Sequence, residues 1–328
     1  MNQIAGKKVL ITGGAGFIGS FVADQLIEEN VGQVVILDNF IRGSKDNIRG
    51  ALTSGKVLLV EGDIRDRALL DDLFQGVDYC FHMAALRINH CIADPRQALE
   101  VMFEGTFNIV EACVKHKIKK VIFSSTASIY GMADIFPIRE DHHPYNNRTL
   151  YGAAKAANEG IFRSFNDMFG LNYIALRYFN VYGPRMDMTG KYTEVMIRWY
   201  NLIKECKPPV IYGDGKRTSD FVYVEDVARA NILALKADVT DEVFNVAEGV
   251  ETSLDEFCSL LLQIMKSDLK PIYIPIPGDR SKNDVTRRLA DVSKARNQIG
   301  FKTKFSLREG LERLVRWLDS KGTKQAEA

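Results

Sequence analysis

Val9-Leu10-Ile11-Thr12-Gly13-Gly14-Ala15-Gly16-Phe17-Ile18-Gly19-Ser20 is the stretch whose reading decides the fold. A β-branched apolar run enters it, and apolar residues at helical spacing leave it over residues 17–30. Glycines crowd the junction. Gly13 suits a tight turn, Gly16 a close approach of backbone to a pyrophosphate, and Gly19 the packing of helix on strand. A diphosphate at this helix N-terminus, where Phe17 and Ile18 begin the first turn, meets unpaired N–H groups and the positive end of the helix dipole. Residues 34–37 read as the next buried strand, ending in Asp38 followed by Asn39. A carboxylate at that point accepts from the adenosine ribose hydroxyls and repels a 2′-phosphate, so the pair of features predicts a dinucleotide site for NAD rather than NADP.

The rest of the chain agrees with this start. Its 328 residues suffice for one large or two modest domains. A net charge of +1 gives no electrostatic case for nucleic acid or a membrane as partner. Cys80, Cys91, Cys113, Cys206 and Cys258 are scattered without metal-ligand spacing, so reduced thiols in a cytoplasmic protein, and no metal, are expected. The first residues lack the apolar core of a signal peptide, and no apolar run reaches membrane-spanning length.

Up to about residue 175 strand and helix alternate. The strands are expected at 8–12, 34–38, 57–61, 79–82, 120–124 and 173–176, and the helices at 17–30, 67–74, 95–116 and 149–169. Strands that are apolar throughout and alternate with helices indicate an α/β fold, a Rossmann-type doubly wound parallel sheet covered on both faces. Ligands bind outside the carboxyl ends of such strands, and the glycine turn, Asp38, Asp63, Ala84, Ala85 and Ser124 to Thr126 all fall there. The division expected is therefore an NAD-binding domain over 1–178, a return to the sheet around 222–248, and a smaller mixed α/β substrate-binding region within 179–328.

Tyr151-Gly152-Ala153-Ala154-Lys155 opens a helical pattern in which a spacing of four sets phenol and ammonium on one face. A phenol alone is a poor base at neutral pH, and a neighbouring cation lowers its pKa. Residues 123–131, Phe-Ser-Ser-Thr-Ala-Ser-Ile-Tyr-Gly, end the strand beside the expected nicotinamide, where a hydroxyl can share a proton with the tyrosine.

With these residues in hand, the ordered set T-G-G-A-G-F-I-G, G-D-I-R-D, H-M-A-A, S-S-T-A-S-I-Y-G, Y-G-A-A-K and R-Y-F-N-V-Y-G-P resembles the extended short-chain dehydrogenase/reductase superfamily. It is most similar to the NAD-dependent nucleotide-sugar epimerases of the UDP-glucose 4-epimerase type. The resemblance implies that phenolate Tyr151, assisted by Thr126, takes the proton of the sugar 4-hydroxyl while the C4 hydride passes to tightly held NAD. The 4-keto sugar then turns and receives the hydride on its other face. Lys155 is implied at the nicotinamide ribose, Asp63 and Ile64 at adenine, Ala84 and Ala85 along the cofactor diphosphate, Ser124 and Tyr178 near the nicotinamide, and Asn180 at the sugar-nucleotide diphosphate.

The similar 4,6-dehydratases carry an adjacent Asp-Glu pair where this chain has Thr126-Ala127-Ser128, and the related decarboxylases a glutamate at Ser128. Neither is present, which leaves epimerisation without further acid–base steps. In the substrate half, Val210 to Tyr212 are implied on either side of the base. The usual arginine before Asp-Phe is replaced by Ser219, with Arg217 two positions earlier. A second phosphate-binding arginine is expected at Ser281, which Arg280 and Lys282 straddle. Arg288 falls where related enzymes control room for a 2-acetamido group; together with Arg87 and Arg185 it also keeps a uronic acid substrate open. Met102 stands where the family often has an asparagine. The implied function is 4-epimerisation of UDP-glucose/UDP-galactose. Alternatives are a UDP-glucuronate or deoxyhexose 4-epimerase or a 4-keto reductase; a catalytically silent NAD sensor is disfavoured by Tyr151 and Lys155. A homodimer joined through helices 95–116 and 149–169 is expected by the same resemblance.

Overall fold

Six strands alternate with helices through the first half of the chain: β1 (Lys8–Thr12), β2 (Gln33–Asp38), β3 (Val57–Glu61), β4 (Tyr79–His82), β5 (Lys120–Thr126) and β6 (Tyr173–Tyr178). The computed structural model describes residues 3–188, 194–276 and 285–326. Later come β7 (Asn180–Tyr182), β8 (Val210–Tyr212), β9 (Thr218–Tyr223), β10 (Glu242–Val246), β11 (Glu251–Ser253) and β12 (Ile272–Ile274). The main sheet has the order β10-β6-β5-β4-β1-β2-β3, and all of its pairings are parallel.

Strict alternation along the central strands builds a core on each face. Val9, Ile11, Val34 and Ile36 point to one side, where Phe21, Val22 and Leu26 of helix Phe17–Glu28 meet Val227 and Leu235 of helix Val224–Lys236. Leu10, Val35 and Leu37 point to the other, against Ile109 and Val110 of helix Thr106–Lys115 and Ala154 and Phe162 of helix Leu150–Phe169. The Leu150–Phe169 helix begins where the Thr149 hydroxyl accepts from Gly152 N–H at 3.0 Å and ends at Gly170 in the left-handed region.

The stretch 95–116, expected as one helix, divides into three. An α-turn over Pro95–Ala98 and helix Thr106–Lys115 flank a wider π-helical segment, Leu99–Gly105. Two side chains claim the Met102 carbonyl inside it: Thr106 Oγ1 donates at 2.9 Å and Asn158 Nδ2 at 2.7 Å. Side-chain donors inserted into the ladder widen a helix in this way.

Beyond β6 the chain leaves the main sheet. β7, β9 and β11 form a three-stranded sheet, and β8 pairs with β12. The return to the main sheet is narrower than the expected 222–248, because β10 alone joins it, parallel to β6, while β9 stays with β7 and β11. All five cysteines are free thiols, and Cys206 is exposed. Among the described residues no helix is long and apolar enough to cross a membrane.

Candidate active site

The carboxyl ends of the parallel strands open into a cavity of about 1440 Å³ that the C-terminal segments cover. This exceeds the usual space for a single small ligand. Its floor is the glycine turn. Gly13 has φ +70°, and a Cβ there would lie 2.8 Å from the Ala84 nitrogen, so the turn and its contact with the chain after β4 both require glycine. A Cβ on Gly19 would lie 2.4 Å from the Gly13 carbonyl, so this glycine packs the helix on its own turn rather than on a strand. Gly16, Phe17 and Ile18 line the cavity at the start of helix Phe17–Glu28. No side chain caps that end and its first turn holds no acidic residue, which leaves the first N–H groups for an anion.

Asp38 is buried at the end of β2, where Oδ2 accepts from Ala15 N–H and Oδ1 from Phe40 N–H, each at 2.9 Å. Burial raises its pKa, and those two backbone donors oppose the rise. The carboxylate thus braces the glycine turn while keeping lone pairs for further donors. Asn39 donates to Asp63 Oδ2 at 3.0 Å, and Ile64, Ala84 and Ala85 continue the same wall. Glycine cradle, uncapped helix end and acidic strand end together fit an NAD dinucleotide.

Tyr151 and Thr126 face this cavity and touch one another. Ser128 N–H donates to Thr126 Oγ1 at 3.1 Å, and the Thr126 hydroxyl is also hydrogen-bonded to the Tyr151 phenol, whose anion it can serve as a donor. Burial pushes the Tyr151 phenol up; the bond from Thr126 and the charges of Arg42 and Arg87 pull it back. Lys155 is buried one helical turn on. Its Nζ donates to the Ser124 carbonyl at 2.5 Å and lies 4.7 Å from the centre of the Phe123 ring. Burial lowers its pKa to about 7, against a smaller upward pull from Glu159. In this structure the Lys155 ammonium rests on the Ser124 carbonyl, and Arg42 and Arg87 are cations that act on the Tyr151 phenol.

Behind these groups the sheet is tied to the helices by buried polar chains. Ser125 Oγ donates to Glu159 Oε1 at 2.5 Å, Glu159 pairs with Arg177 at 2.6 Å, and Arg177 donates to the Tyr130 oxygen at 2.9 Å. His82 bridges Thr12 at 2.8 Å and Thr106 at 3.0 Å. Burial holds the imidazole neutral, with a pKa of about 3. Met102 lies off the cavity wall, and its thioether accepts from Leu86 N–H at 3.2 Å.

On the substrate side Asn180, Val210, Tyr212, Arg217 and Arg288 line the same cavity, as does Tyr178, whose hydroxyl donates to Asn231 at 2.9 Å. Burial, then the like charge of Arg217, brings the Arg288 guanidinium down to about 10. Arg185 belongs to the wall but is turned to the first helix: it pairs with Asp24 at 2.7 Å, stacks 4.2 Å over Phe21, and leaves Nη1 without a partner. Arg280, Ser281 and Lys282 lie outside the described residues. A cluster the sequence did not point to stands beside Arg87: Arg42 pairs with Asp187 at 3.6 Å, and Arg87 lies 4.0 Å from Asp187 and 3.9 Å from Glu194. Only folding brings residues so far apart in the chain together, and no local pattern marks them.

A sequence profile of the NAD dependent epimerase/dehydratase family matches residues 9–247. The chain belongs to this family. A putative UDP-glucose 4-epimerase of Methanocaldococcus jannaschii is 36% identical over 313 residues, 94% of this chain and 98% of that one. The UDP-N-acetylglucosamine 4-epimerase of Methanobrevibacter ruminantium M1, solved with UDP-N-acetylmuramic acid, superimposes with a TM-score of 0.90 at 34% identity, covering 97% and 99% of the two chains. The UDP-glucose 4-epimerase of Thermotoga maritima, solved with UDP-glucose, gives 0.88 at 34% identity, covering 96% and 99%. The family uses NAD and acts on nucleotide sugars, so NAD is the cofactor of this enzyme.

Proposed function

We propose that the enzyme is a nucleotide-sugar 4-epimerase that interconverts UDP-glucose and UDP-galactose. The observation that carries this reading is the contact of Tyr151 with Thr126 inside one cavity with Lys155 and the glycine turn, beside a Thr126-Ala127-Ser128 segment without carboxylates. Gly13, Gly16, Phe17, Ile18 and Gly19 would hold the NAD diphosphate, joined by Ala84 and Ala85, with Asp38 and Asn39 at the adenosine ribose and Asp63 and Ile64 at adenine. Bound NAD supplies a reversible hydride acceptor for the sugar C4.

The protein's own groups move the proton. Tyr151 takes it from the 4-hydroxyl and returns it after inversion, while the Thr126 hydroxyl, oriented by Ser128 N–H, stabilises the phenolate. Arg42 and Arg87 lower the cost of that phenolate, and Lys155, beside the Ser124 carbonyl, holds the ribose edge. Asn180 and Arg217 grip the sugar-nucleotide diphosphate, while Val210 and Tyr212 flank the base.

A second reading, an acidic UDP-sugar, is favoured by Arg288, which lies buried against the like charge of Arg217 and gains from an added carboxylate. A homodimer is proposed through the exposed Leu99, Phe107, Met168 and Phe169 on the two helical stretches named above. The reduced thiols suit action in the cytoplasm. Purified protein incubated without added cofactor with UDP-glucose, UDP-galactose, UDP-N-acetylglucosamine and UDP-glucuronate tests both readings by chromatography. Conversion of UDP-glucose to UDP-galactose supports the first, conversion of UDP-glucuronate alone the second, and loss of water or carbon dioxide overturns both.

A further inference from the structure

Outside the cavity, Asp134, His142 and His143 bring one ligand atom each within 4.8 Å of one another. They lie on the loop between the turn Ala127–Tyr130 and helix Leu150–Phe169, and nothing in the epimerase reading uses them. His142 is the informative member. Its side chain is 4% exposed, stands edge-on to the Tyr130 ring at 5.9 Å and packs on the His143 ring at 4.7 Å, so its orientation is fixed. Its Nδ1 lies 2.8 Å from the His143 carbonyl, and its Nε2 lies 2.9 Å from Asp134 Oδ1.

Both partners of this ring are acceptors. A neutral imidazole carries one N–H and one lone pair. A proton on Nδ1, donated to the carbonyl, leaves the Nε2 lone pair aimed at a carboxylate oxygen; the other tautomer aims the Nδ1 lone pair at the carbonyl. Either arrangement is repulsive, and a cation at Nε2 with the proton on Nδ1 relieves it. A proton can fill the role by making the ring imidazolium. A metal ion can fill it too, and the second imidazole of His143 beside the same point has no function in a simple ion pair.

We propose that Asp134, His142 and His143 form a binding site for a divalent transition cation of the zinc class. Two imidazoles and one carboxylate make a donor set suited to zinc and unsuited to calcium or magnesium, which prefer oxygen. The bond from Nδ1 to a backbone carbonyl is the outer-sphere support that metal-binding histidines usually have. Ligand atoms around a tetrahedral zinc lie about 3.4 Å apart, so Asp134, now 2.9 Å from His142 Nε2, draws back slightly and the exposed His143 adjusts within the 4.8 Å that the three ligand atoms span. Water completes the fourth position. Binding displaces any Nε2 proton and ties two separated points of the loop that leads into the helix carrying Tyr151.

The test uses the full-length, tag-free protein, stripped with a chelator and titrated with zinc chloride by calorimetry and by metal analysis after dialysis. Uptake of about one zinc per chain is expected, together with a rise in melting temperature. His143→Ala and Asp134→Asn, at exposed positions, should each weaken uptake by at least roughly tenfold and abolish the rise, while circular dichroism and NAD content stay unchanged. Cobalt-loaded protein should show a visible spectrum of nitrogen and oxygen ligation with no thiolate charge-transfer band. Absence of stoichiometric uptake overturns the proposal and leaves His142 as half of an ion pair. Uptake undiminished in both variants, or a thiolate band pointing to Cys206, overturns it as well.

Discussion

Lys155→Met should stabilise the nucleotide-free protein near neutral pH even as it destroys turnover. The ammonium is buried, and its neighbours are a carbonyl and a ring face rather than a carboxylate. Burial lowers its pKa from 10.5 to about 7. At about 1.4 kcal/mol for each tenfold change in proton affinity, the charged form costs the folded state at most about 5 kcal/mol. The sign follows from proton counting. Between about 7 and 10.5 the unfolded lysine holds more proton than the folded one, so stability rises with pH across that window and the full penalty is present below it. Methionine has no such dependence. The variant should therefore exceed the parent by about 2 kcal/mol or more at pH 7, after allowance for the lost bond to Ser124, and the gap should close toward pH 10. Urea unfolding of both proteins from pH 7 to 10, in a Cys91→Ala background because that thiol feels the Lys155 charge, measures the difference, since titrating groups remote from Lys155 cancel. Parallel stability curves over that range would refute the argument that desolvation dominates at Lys155.

Tyr151→Phe should cut turnover by orders of magnitude with NAD still bound, checked by cofactor content beside product formation; near-normal turnover would show that the proton leaves by another route. Gly19→Ala, whose Cβ would lie 2.4 Å from the Gly13 carbonyl, should distort the glycine turn and lose NAD affinity, measured by cofactor retention on gel filtration. Arg288→Ser should widen the pocket and raise turnover of UDP-N-acetylglucosamine relative to UDP-glucose, and an unchanged ratio in steady-state kinetics would remove the gatekeeping idea. His82, with a pKa of about 3, should show flat imidazole NMR shifts from pH 5 to 8; a midpoint in that interval would contradict a neutral ring locked between two threonines.

The site was legible to the extent that its chemistry is local. Gly13, Gly16, Phe17, Ile18, Gly19, Asp38, Thr126, Tyr151 and Lys155 reveal themselves through spacing within one turn or one strand end, and each lines the cavity. What local spacing cannot show is where a flexible side chain goes once buried. Lys155 turns to Ser124, and Arg185, read as a substrate cation, turns back to Asp24. The stretch 95–116 has good helical periodicity throughout, yet Asn158, distant in sequence, opens its ladder at the Met102 carbonyl. Met102 itself satisfies Leu86 N–H through sulfur.

By itself the sequence determined the parallel sheet, the stretches that form its early strands and the place of the dinucleotide turn. Buried β-branched runs, glycine spacing and helical periodicity act over a few residues, and the chain cannot evade them. Only the tertiary structure decided that Arg42, Arg87, Asp187 and Glu194 meet near Tyr151, that β10 alone returns to the sheet, and that His142 faces two acceptors at once. Those arrangements depend on charges and donors from separate segments being desolvated together, and their energy exists only when the segments have packed.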